Sequence, residues 1–447
     1  MKKIIINGNK KLSGTIRISG AKNAAVALIP AAIISDEPST ICNIPEISDI
    51  NSLEGILSFL DAKTKRATES MIIDPTNMQN KSIPEEISSK LRASYYFMGA
   101  LLTKYKYVEM NFPGGCKIGS RPINFHLEGF KKLGATVIEK GDKYIIKAEK
   151  LKGADITLEK ASVGATINIM FAAIKAEGIT TINNAAKEPE IINVAQFLKS
   201  MGAKISGEGT EKITITGVNY LSKGQTEVIP DRIEAGTYVI MGSLIGENLK
   251  IDNIVPEHLK SLTDKLKEAN ANIQIGIDNI MCNKSDHLKA INIVTSYYPA
   301  FPTDLQQPFS VFTTQCEGQS TIKETLYENR FMHVPYLNKM GANIKIKKDT
   351  AIVIGKTKLT GADVVATDLR AGASLAIAGL IAENKTTISE VEHILRGYEG
   401  IIEKLTNVGA DIKIVEEIPA NNQKNNKNIA IFKKIWYTIQ ELIITMT

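Results

Sequence analysis

The segment from Phe112 to Pro122 holds the residue types best suited to chemistry, a cysteine among glycines and cations. Glycines free the backbone here and prolines bracket the segment, so a loop that closes over a ligand is predicted. Cys116 lies beside Lys117 and near Arg121, and neighbouring cations lower a thiol pKa and raise its reactivity. The sequence therefore predicts a mobile, reactive Cys116. An ordinary surface turn with an incidental cysteine is the alternative.

Arginine is scarce, and its placement is a second chemical signal. Of the 54 basic residues only eight are arginine, so lysine is the default cation of this chain. An arginine indicates a position that uses the planar, bidentate guanidinium group, which suits phosphate and carboxylate ligands. Chance placement is the alternative for any single arginine. The eight are Arg17, Arg66, Arg92, Arg121, Arg232, Arg330, Arg370 and Arg396.

Polar residues cluster where apolar helices are predicted to begin, and the free amides of helix starts bind anions. Arg232 and Arg370 stand at two such starts, and Lys22 stands at a third. Helix capping is the alternative explanation for the other polar residues, but it does not explain the cations. The predicted capping residues are Ser162, Asp231, Asp304 and Asp368, with Glu234 at capping-box spacing from Asp231.

A short tag recurs six times at intervals of about seventy residues, which indicates a repeated structural unit. Each tag ends a predicted amphipathic helix with Asp, Asn or Gly, the residues that tolerate the left-handed backbone of a helix C-terminus. A strand-like segment follows each tag, so the chain is predicted to be α/β. The tag residues are Asp61, Gly134, Gly202, Asn270, Gly341 and Gly409.

Another helix is predicted in each unit, and several of these helices are apolar almost all round. Examples are residues 24–34, 165–174 and 371–381, which are predicted to be buried and are too short and broken to span a bilayer. Six units divide into two domains of three, with a boundary near residues 228–231. This division leaves the N-terminal strand, before Lys22, to pair with either half.

Composition narrows the class of protein further. A chain of 447 residues with 43% apolar residues favours at least two domains, and a net charge of +6 is far below that of a dedicated nucleic-acid binder. The cysteines form no CxxC pair and the histidines show no metal-ligand spacing, so neither metal nor cofactor is expected. Phosphate-binding glycine motifs and a signal peptide are not recognised, which leaves a cytoplasmic enzyme as the default expectation.

Nine short segments combine these charged residues with loops and predicted helix starts. They are 19–25 (SGAKNAA), 91–94 (LRAS), 113–122 (PGGCKIGSRP), 162–166 (SVGAT), 230–234 (PDRIE), 300–304 (AFPTD), 328–333 (ENRFMH), 366–370 (ATDLR) and 396–399 (RGYE). In this order they closely resemble the UDP-N-acetylglucosamine enolpyruvyl transferases, also called 1-carboxyvinyltransferases. The resemblance runs from Met1 to about Val415.

The resemblance implies a two-domain, inside-out α/β barrel of six βαβαββ repeats, three per domain, around buried parallel helices. Residues 22–229 would form the first domain, which carries the Cys116 loop, and residues 1–21 would join 230–418 in the second. Substrates would lie in the cleft between them. Residues 419–447 form an extra polar linker and amphipathic segment, for which partner binding, membrane-surface contact, packing onto the body and disorder are all open.

The resemblance also implies a reaction, the transfer of the enolpyruvyl group of phosphoenolpyruvate to the 3′-hydroxyl of UDP-N-acetylglucosamine. Phosphate is released, and the product commits the sugar nucleotide to bacterial peptidoglycan. Cys116 matches the family's general acid, and Asp304 matches the group that accepts the hydroxyl proton. The implied catalytic residues are Cys116, Asp304, Lys22 and Arg396. The implied phosphoenolpyruvate contacts are Lys22, Asn23, Arg121 and Arg396, with Arg330 and Arg370 around its carboxylate.

The implied sugar-nucleotide contacts come from several of the same segments. They are Asn23, Arg92, Arg121, Pro122, Ile123, Asn124, Phe125, Lys160, Ala161, Ser162, Val163, Asp304 and Leu326, with Asp231, Glu328 and Asp368 in support. Two alternatives remain at this stage. One is the sister reaction on shikimate 3-phosphate, and the other is a catalytically silent relative that binds nucleotide sugar.

Overall fold

The computed structural model of the protein describes residues 2–114 and 122–416. Cys116, Arg121 and the tail 419–447 lie outside the described residues, so the predictions for them stay predictions. The helices are α1 Lys22–Ala32, α2 Ser48–Phe59, α3 Glu85–Ser88, α4 Tyr96–Tyr105, α5 Asn124–Lys132, α6 Val163–Ala173, α7 Pro189–Ser200, α8 Arg232–Ile245, α9 Lys260–Glu268, α10 Thr303–Thr314, α11 Val334–Lys339, α12 Leu369–Ile381, α13 Glu392–Leu395 and α14 Ile401–Asn407, with 3-10 turns at Arg92–Tyr95 and Pro256–Leu259.

The strands alternate with these helices along the chain. They are β1 Lys2–Asn7, β2 Leu12–Arg17, β3 Ser39–Cys42, β4 Lys63–Ala67, β5 Ser70–Asp74, β6 Tyr107–Asn111, β7 Thr136–Lys140, β8 Lys143–Lys147, β9 Asp155–Thr157, β10 Ile179–Asn183, β11 Lys204–Ser206, β12 Lys212–Thr216, β13 Gln225–Glu227, β14 Gly246–Asp252, β15 Asn272–Ile275, β16 Asn279–Asn283, β17 Asn292–Val294, β18 Gly318–Lys323, β19 Ile344–Lys347, β20 Thr350–Gly355, β21 Asp363–Val365, β22 Lys385–Ser389 and β23 Asp411–Glu416. The α/β class predicted from the tags is confirmed.

The described strands form six small sheets, one for each sequence repeat. Their strand orders are β13-β3-β5-β4, β6-β8-β7, β11-β12-β10-β9, β15-β16-β14-β2, β17-β18-β20-β19 and β21-β22-β1-β23. The two N-terminal strands join sheets from the second half of the chain, because β1 pairs with β22 and β23 while β2 pairs with β14. The first and last described strands therefore share one sheet.

The tag residues adopt the left-handed backbone that their types indicated. Asp61 and Asn270 have φ angles of 62° and 65°, and the four tag glycines have φ angles from 94° to 104°. The backbone reverses at each of these residues and continues into β4, β7, β11, β15, β19 or β23. The helix, turn and strand predicted at every tag are confirmed.

The apolar helices are buried, as their composition predicted. Helices α1, α4 and α6 lie in one hydrophobic core, and α8, α10 and α12 lie in a second. The first core draws on residues from Ala21 to Val228. The second draws on Ile4 to Ile18 and on Ile233 to Ile412. These ranges support the two predicted domains, whose boundaries stay a prediction.

The chain passes between the two cores at two adjacent points. Gly20 and Pro230 form an isolated antiparallel bridge. The Ala21 amide donates to the Ile229 carbonyl at 2.7 Å, and the Asp231 amide donates to the Ser19 carbonyl at 2.9 Å. The two crossings are thus hydrogen-bonded to each other.

Close helix packing in the first core gives a stability prediction for Gly99, in α4. A Cβ at this position would lie 2.6 Å from Asn168 Oδ1 and 2.7 Å from the Asn168 carbonyl oxygen. Gly99→Ala should therefore reduce the free energy of unfolding by about 1–3 kcal/mol, measured by urea denaturation. Gly55→Ala, in the exposed face of α2 with no atom within 4 Å, is the control and should add about 0.5–1 kcal/mol. Equal stability of the two variants would contradict the packing argument.

Candidate active site

A large cleft lies between the two cores and has a volume of about 760 Å³. Residues at or just before the start of all six buried helices line it. The cleft is thus rich in free backbone amides and in the positive ends of helix dipoles, which favour anionic ligands. The predicted site residues that line it are Lys22, Asn23, Arg92, Pro122, Asn124, Phe125, Lys160, Ala161, Ser162, Val163, Asp304, Leu326, Glu328, Arg330, Asp368, Arg370 and Arg396.

Two predicted site residues in the described part of the chain do not line this cleft. Ile123 is buried directly before α5, and Asp231 is buried directly before α8. Asp231 instead organises the crossing point, because its Oδ1 accepts from the amides of Ile233 and Glu234 and its Oδ2 accepts from the Lys22 amide at 3.1 Å. It acts on the cleft by fixing the start of α1 against the start of α8.

Three of the four predicted helix caps are confirmed. Ser162, Asp231 and Asp368 each accept a hydrogen bond from an amide in the first turn of the helix that follows. The prediction for Asp304 is wrong, because Pro302 occupies the N-cap of α10 and Asp304 lies inside the first turn. The capping box is also incomplete, since the Glu234 side chain accepts from the Ser19 amide and from Lys404 instead.

Asp304 is held by two buried arginines. Arg330 Nη2 donates to Asp304 Oδ1 at 2.5 Å, and Arg370 Nη2 donates to Oδ2 at 3.2 Å. Arg370 also donates through Nη1 to the Tyr398 hydroxyl at 3.1 Å, and Arg330 Nη1 lies 3.9 Å from Asp368 Oδ1. The side chains of both arginines are at most 4% exposed. These contacts fix two guanidinium groups side by side at one end of the cleft.

The charge state of Asp304 follows from the same cluster. Burial acts to raise its pKa, but Arg370, Arg330 and Arg232 outweigh burial and hold the pKa below the usual value. The carboxylate is therefore ionised at neutral pH. It can accept a proton, yet its basicity is low for as long as both guanidinium groups are bonded to it.

A second carboxylate, Asp49, holds the cations of another part of the cleft. Its Oδ2 lies 2.7 Å from Lys22 Nζ, and its Oδ1 accepts from Arg396 Nε at 3.0 Å. Lys22 begins α1 in the first core, whereas Arg396 follows α13 in the second. Asp49 was not predicted as a site residue, because an acidic residue in the first turn of a helix is ordinary.

A third pair, between Glu190 and Arg232, also joins the two cores. Arg232 Nε donates to Glu190 Oε1 at 3.0 Å, and its guanidinium group stacks over the Tyr298 ring at 5.3 Å. Glu188 lies next to this pair, and burial raises its pKa despite the nearby Arg232. Sequence reasoning predicted Arg232 as a charged helix start but missed both glutamates.

Another wall of the cleft is formed by the starts of α5 and α6 and by the turn at Arg92. His126 is a buried part of this wall, with its Nδ1 at 2.8 Å from Asn168 Nδ2 and its ring edge-on to Tyr95. Burial, together with Arg92, lowers the His126 pKa to about 3. The imidazole is therefore neutral at physiological pH and supports the wall without adding charge.

Residues 2–114 and 122–416 contain no group of three or more His, Cys, Asp or Glu side chains placed to hold a metal ion. In the same residues, no helix is long and apolar enough to cross a membrane.

Comparison with known proteins agrees with this architecture. Residues 6–405 match the family described as EPSP synthase (3-phosphoshikimate 1-carboxyvinyltransferase). A UDP-N-acetylglucosamine 1-carboxyvinyltransferase 2 of Geobacillus kaustophilus is 50% identical over 412 residues, which cover 92% of this chain and 96% of that protein. A UDP-N-acetylglucosamine 1-carboxyvinyltransferase 1 of Streptococcus agalactiae is 49% identical over 419 residues, 93% of this chain and 100% of that protein.

A solved structure shows the same fold. The enolpyruvyl transferase NikO from Streptomyces tendae superposes with a TM-score of 0.85 at 24% identity, covering 93% of this chain and 99% of that one. The α/β fold of the enolpyruvyl transferases is thus confirmed, while closure of a barrel stays a prediction. Together with the sequence identities, these findings show that the chain belongs to the UDP-N-acetylglucosamine 1-carboxyvinyltransferase family of enolpyruvyl transferases.

The contacts of Asp368 give a second stability prediction. Its Oδ1 accepts from the amides of Arg370 and Ala371, and its Oδ2 accepts from Gln307. Asp368→Ala should reduce the free energy of unfolding by about 3 kcal/mol in urea, because it removes a cap and leaves buried donors unpaired. Asp264→Ala, which removes an exposed pair with Lys260, is the control and should cost about 0.5 kcal/mol or less.

Asp368→Asn separates the contribution of the helix cap from that of the other buried hydrogen bonds. Its side-chain oxygen can still accept at the cap, so its loss should be smaller than that of Asp368→Ala. A loss in Asp368→Ala no greater than in Asp264→Ala would show that these bonds do not stabilise the helix start.

Proposed function

We propose that this protein transfers the enolpyruvyl group of phosphoenolpyruvate to the 3′-hydroxyl of UDP-N-acetylglucosamine and releases phosphate. The observation that carries the proposal is the convergence of Lys22, Arg330, Arg370 and Arg396 on one cleft that also contains Asp304. About half of the residues are identical to those of proteins named for this activity. In a bacterium the reaction would be the first committed step of peptidoglycan synthesis.

Phosphoenolpyruvate carries two anionic groups, and the cleft offers two sets of cations. Lys22 and Arg396 lie together through Asp49, and Arg121 is the third member of the predicted phosphate set. Arg330 and Arg370 lie together through Asp304 and suit a planar carboxylate. Each end of this small substrate therefore has its own cationic contacts, and the reacting double bond would lie between them.

The addition step needs one proton donor and one proton acceptor. The sugar 3′-oxygen bonds to C2 of phosphoenolpyruvate while Asp304 takes the hydroxyl proton, and Cys116 gives a proton to the methylene carbon. The product is a tetrahedral intermediate with a methyl group. Elimination then breaks the bond from C2 to the phosphate oxygen while the Cys116 thiolate takes back a methyl proton, which restores the double bond as an enolpyruvyl ether. The proton held by Asp304 passes to the departing phosphate, so both residues return to their starting states.

The contacts of Asp304 suggest how its basicity is controlled. Arg330 and Arg370 lower its pKa below the usual value, against the effect of burial. A substrate carboxylate that bonds to the same guanidinium groups would share their charge and make Asp304 a stronger base. Phosphoenolpyruvate would therefore activate the acceptor of the hydroxyl proton as it binds.

The sugar nucleotide would occupy the rest of the cleft. The described residues that support its binding are Asn23, Arg92, Pro122, Asn124, Phe125, Lys160, Ala161, Ser162, Val163 and Leu326. Arg92 and Lys160 supply positive charge for a diphosphate, and the capped start of α6 supplies amides. A cytoplasmic location is proposed because nucleotide sugars and phosphoenolpyruvate are cytoplasmic metabolites. The tail 419–447 has no proposed role in the reaction.

Two alternatives are less well supported. The sister reaction on shikimate 3-phosphate shares the fold and the arginines, but the Cys116 loop and the segment at Ser162 disfavour it. A silent nucleotide-sugar binder would have no use for an acid and a base, and this chain retains Cys116 and Asp304.

Substrate dependence gives the direct test. Phosphate release, measured by a coupled colorimetric assay, should require phosphoenolpyruvate and UDP-N-acetylglucosamine together. Shikimate 3-phosphate in place of the sugar nucleotide should release none. Release with shikimate 3-phosphate alone as acceptor would favour the sister reaction, and tight nucleotide-sugar binding without release would favour the silent relative.

Cys116→Ala tests the assignment of the general acid. The variant should lose product release by at least a hundredfold, because a positioned acid contributes about 10²–10⁴ in rate. It should also resist alkylation by fosfomycin, the epoxide known to attack the loop cysteine of this family, as followed by intact-protein mass spectrometry. Cys42→Ala removes a cysteine outside the cleft, and this variant should still release product and still be alkylated by fosfomycin. Labelling of Cys116→Ala equal to that of the unchanged protein would refute the assignment.

A further inference from the structure

Asp49 lies where the first core, the second core and the cleft meet. Both of its oxygens face cations from different parts of the chain, Lys22 at 2.7 Å through Oδ2 and Arg396 at 3.0 Å through Oδ1. The residue is 3% exposed, so these contacts are shielded from solvent. Removal of one partner from a shielded ion pair is costly, because it leaves a buried charge without compensation.

Helix capping does not account for Asp49. Helix α2 has Ile47 at its N-cap, no side chain caps it, and Asp49 lies within the first turn. A negative charge there is favourable for the helix dipole, but an exposed carboxylate would serve equally well. Burial against two cations is therefore a feature of the cleft and not of the helix.

Lys22 depends on this carboxylate for its charge. Burial lowers the Lys22 pKa, Arg396 and Arg370 lower it further, and Asp49 is the group that opposes them. The Asp231 side chain contacts Lys22 at the backbone and not at the amine: the Lys22 amide donates to Asp231 Oδ2 at 3.1 Å. Removal of the Asp49 charge would thus leave a buried amine beside two guanidinium groups, which favours the neutral form.

We propose that Asp49 is the positioning residue of the phosphate end of the cleft, where it holds Lys22 and Arg396 together as one anion-binding pair across the two cores. The inference rests on the proposed function for the identity of the anion. Asp49 itself contacts no part of the substrate in this scheme. Asp49 keeps the Lys22 amine protonated, and its bond with Arg396 orients the guanidinium group.

Kinetics of Asp49→Asn and Asp49→Glu provide the test. Asp49→Asn should raise the KM for phosphoenolpyruvate by about tenfold or more, since the phosphate would lose a charged contact. The KM for UDP-N-acetylglucosamine should change much less. Asp49→Glu keeps the charge but shifts it, and should recover part of the affinity. Glu54→Gln is the matched control, because Glu54 lies on the same helix and pairs with Arg66, outside the cleft.

The pH profile distinguishes a positioning role from a structural one. Activity that needs protonated Lys22 is lost as pH rises through the Lys22 pKa, and kcat/KM reports this value for the free enzyme. In Asp49→Asn the alkaline limb should therefore move to lower pH, whereas Asp49→Glu and Glu54→Gln should keep it. An Asp49→Asn profile that superimposes on that of the unchanged protein would overturn the inference, whatever the change in kcat.

Binding of inorganic phosphate, measured by calorimetry, separates this inference from the proposed function because it needs no turnover. If the unchanged protein released no phosphate from its substrates, the proposed function would fail, yet Asp49→Asn should still bind phosphate about tenfold more weakly. Equal phosphate affinity in the two proteins would overturn the inference. If Asp49→Asn fails to fold, Asp49→Glu provides the test. The alkaline limb of its kcat/KM profile must match that of the unchanged protein. An alkaline limb moved to lower pH in Asp49→Glu would count against the proposal.

Discussion

The pairing of buried cations with the protein's own carboxylates is the interaction on which this cleft depends. Three carboxylates, Asp49, Asp304 and Glu190, hold the lysine and four arginines nearest the centre. Without these partners, the cost of burying so many like charges side by side would be several kcal/mol per group. Asp49 and Asp304 each face two of these cations, so each carboxylate leaves cationic donors that an anionic substrate can also contact.

The repeat explains how such distant residues meet. Asp49 and Arg396 are separated by most of the chain, yet each lies near the start of a helix or turn in an equivalent structural unit. All six buried helices begin at the cleft, so every repeat contributes amides or charged side chains there. The apolar bodies of these helices form the cores, which leaves the polar starts as the functional surface.

The sequence was sufficient for features governed by local physics and insufficient for those set by packing. Left-handed turns at Asp61 and Asn270 follow from residue type, and buried helices follow from apolar composition. Asp304 was misassigned as a cap because its true partners, two arginines, are distant in the chain. Asp49 was missed for the same reason, since an acid in a first helical turn is common and only the fold shows its two cations.

The paired crossings at Gly20 and Pro230 have a mechanical consequence. The two crossings lie side by side and are hydrogen-bonded to each other, so the backbone joins the two cores at one place. The same place is where α1 and α8 begin, and Asp231 bonds to amides of both helices. Lys22 and Arg232, which begin helices of different cores, are therefore held at a fixed separation by the backbone itself.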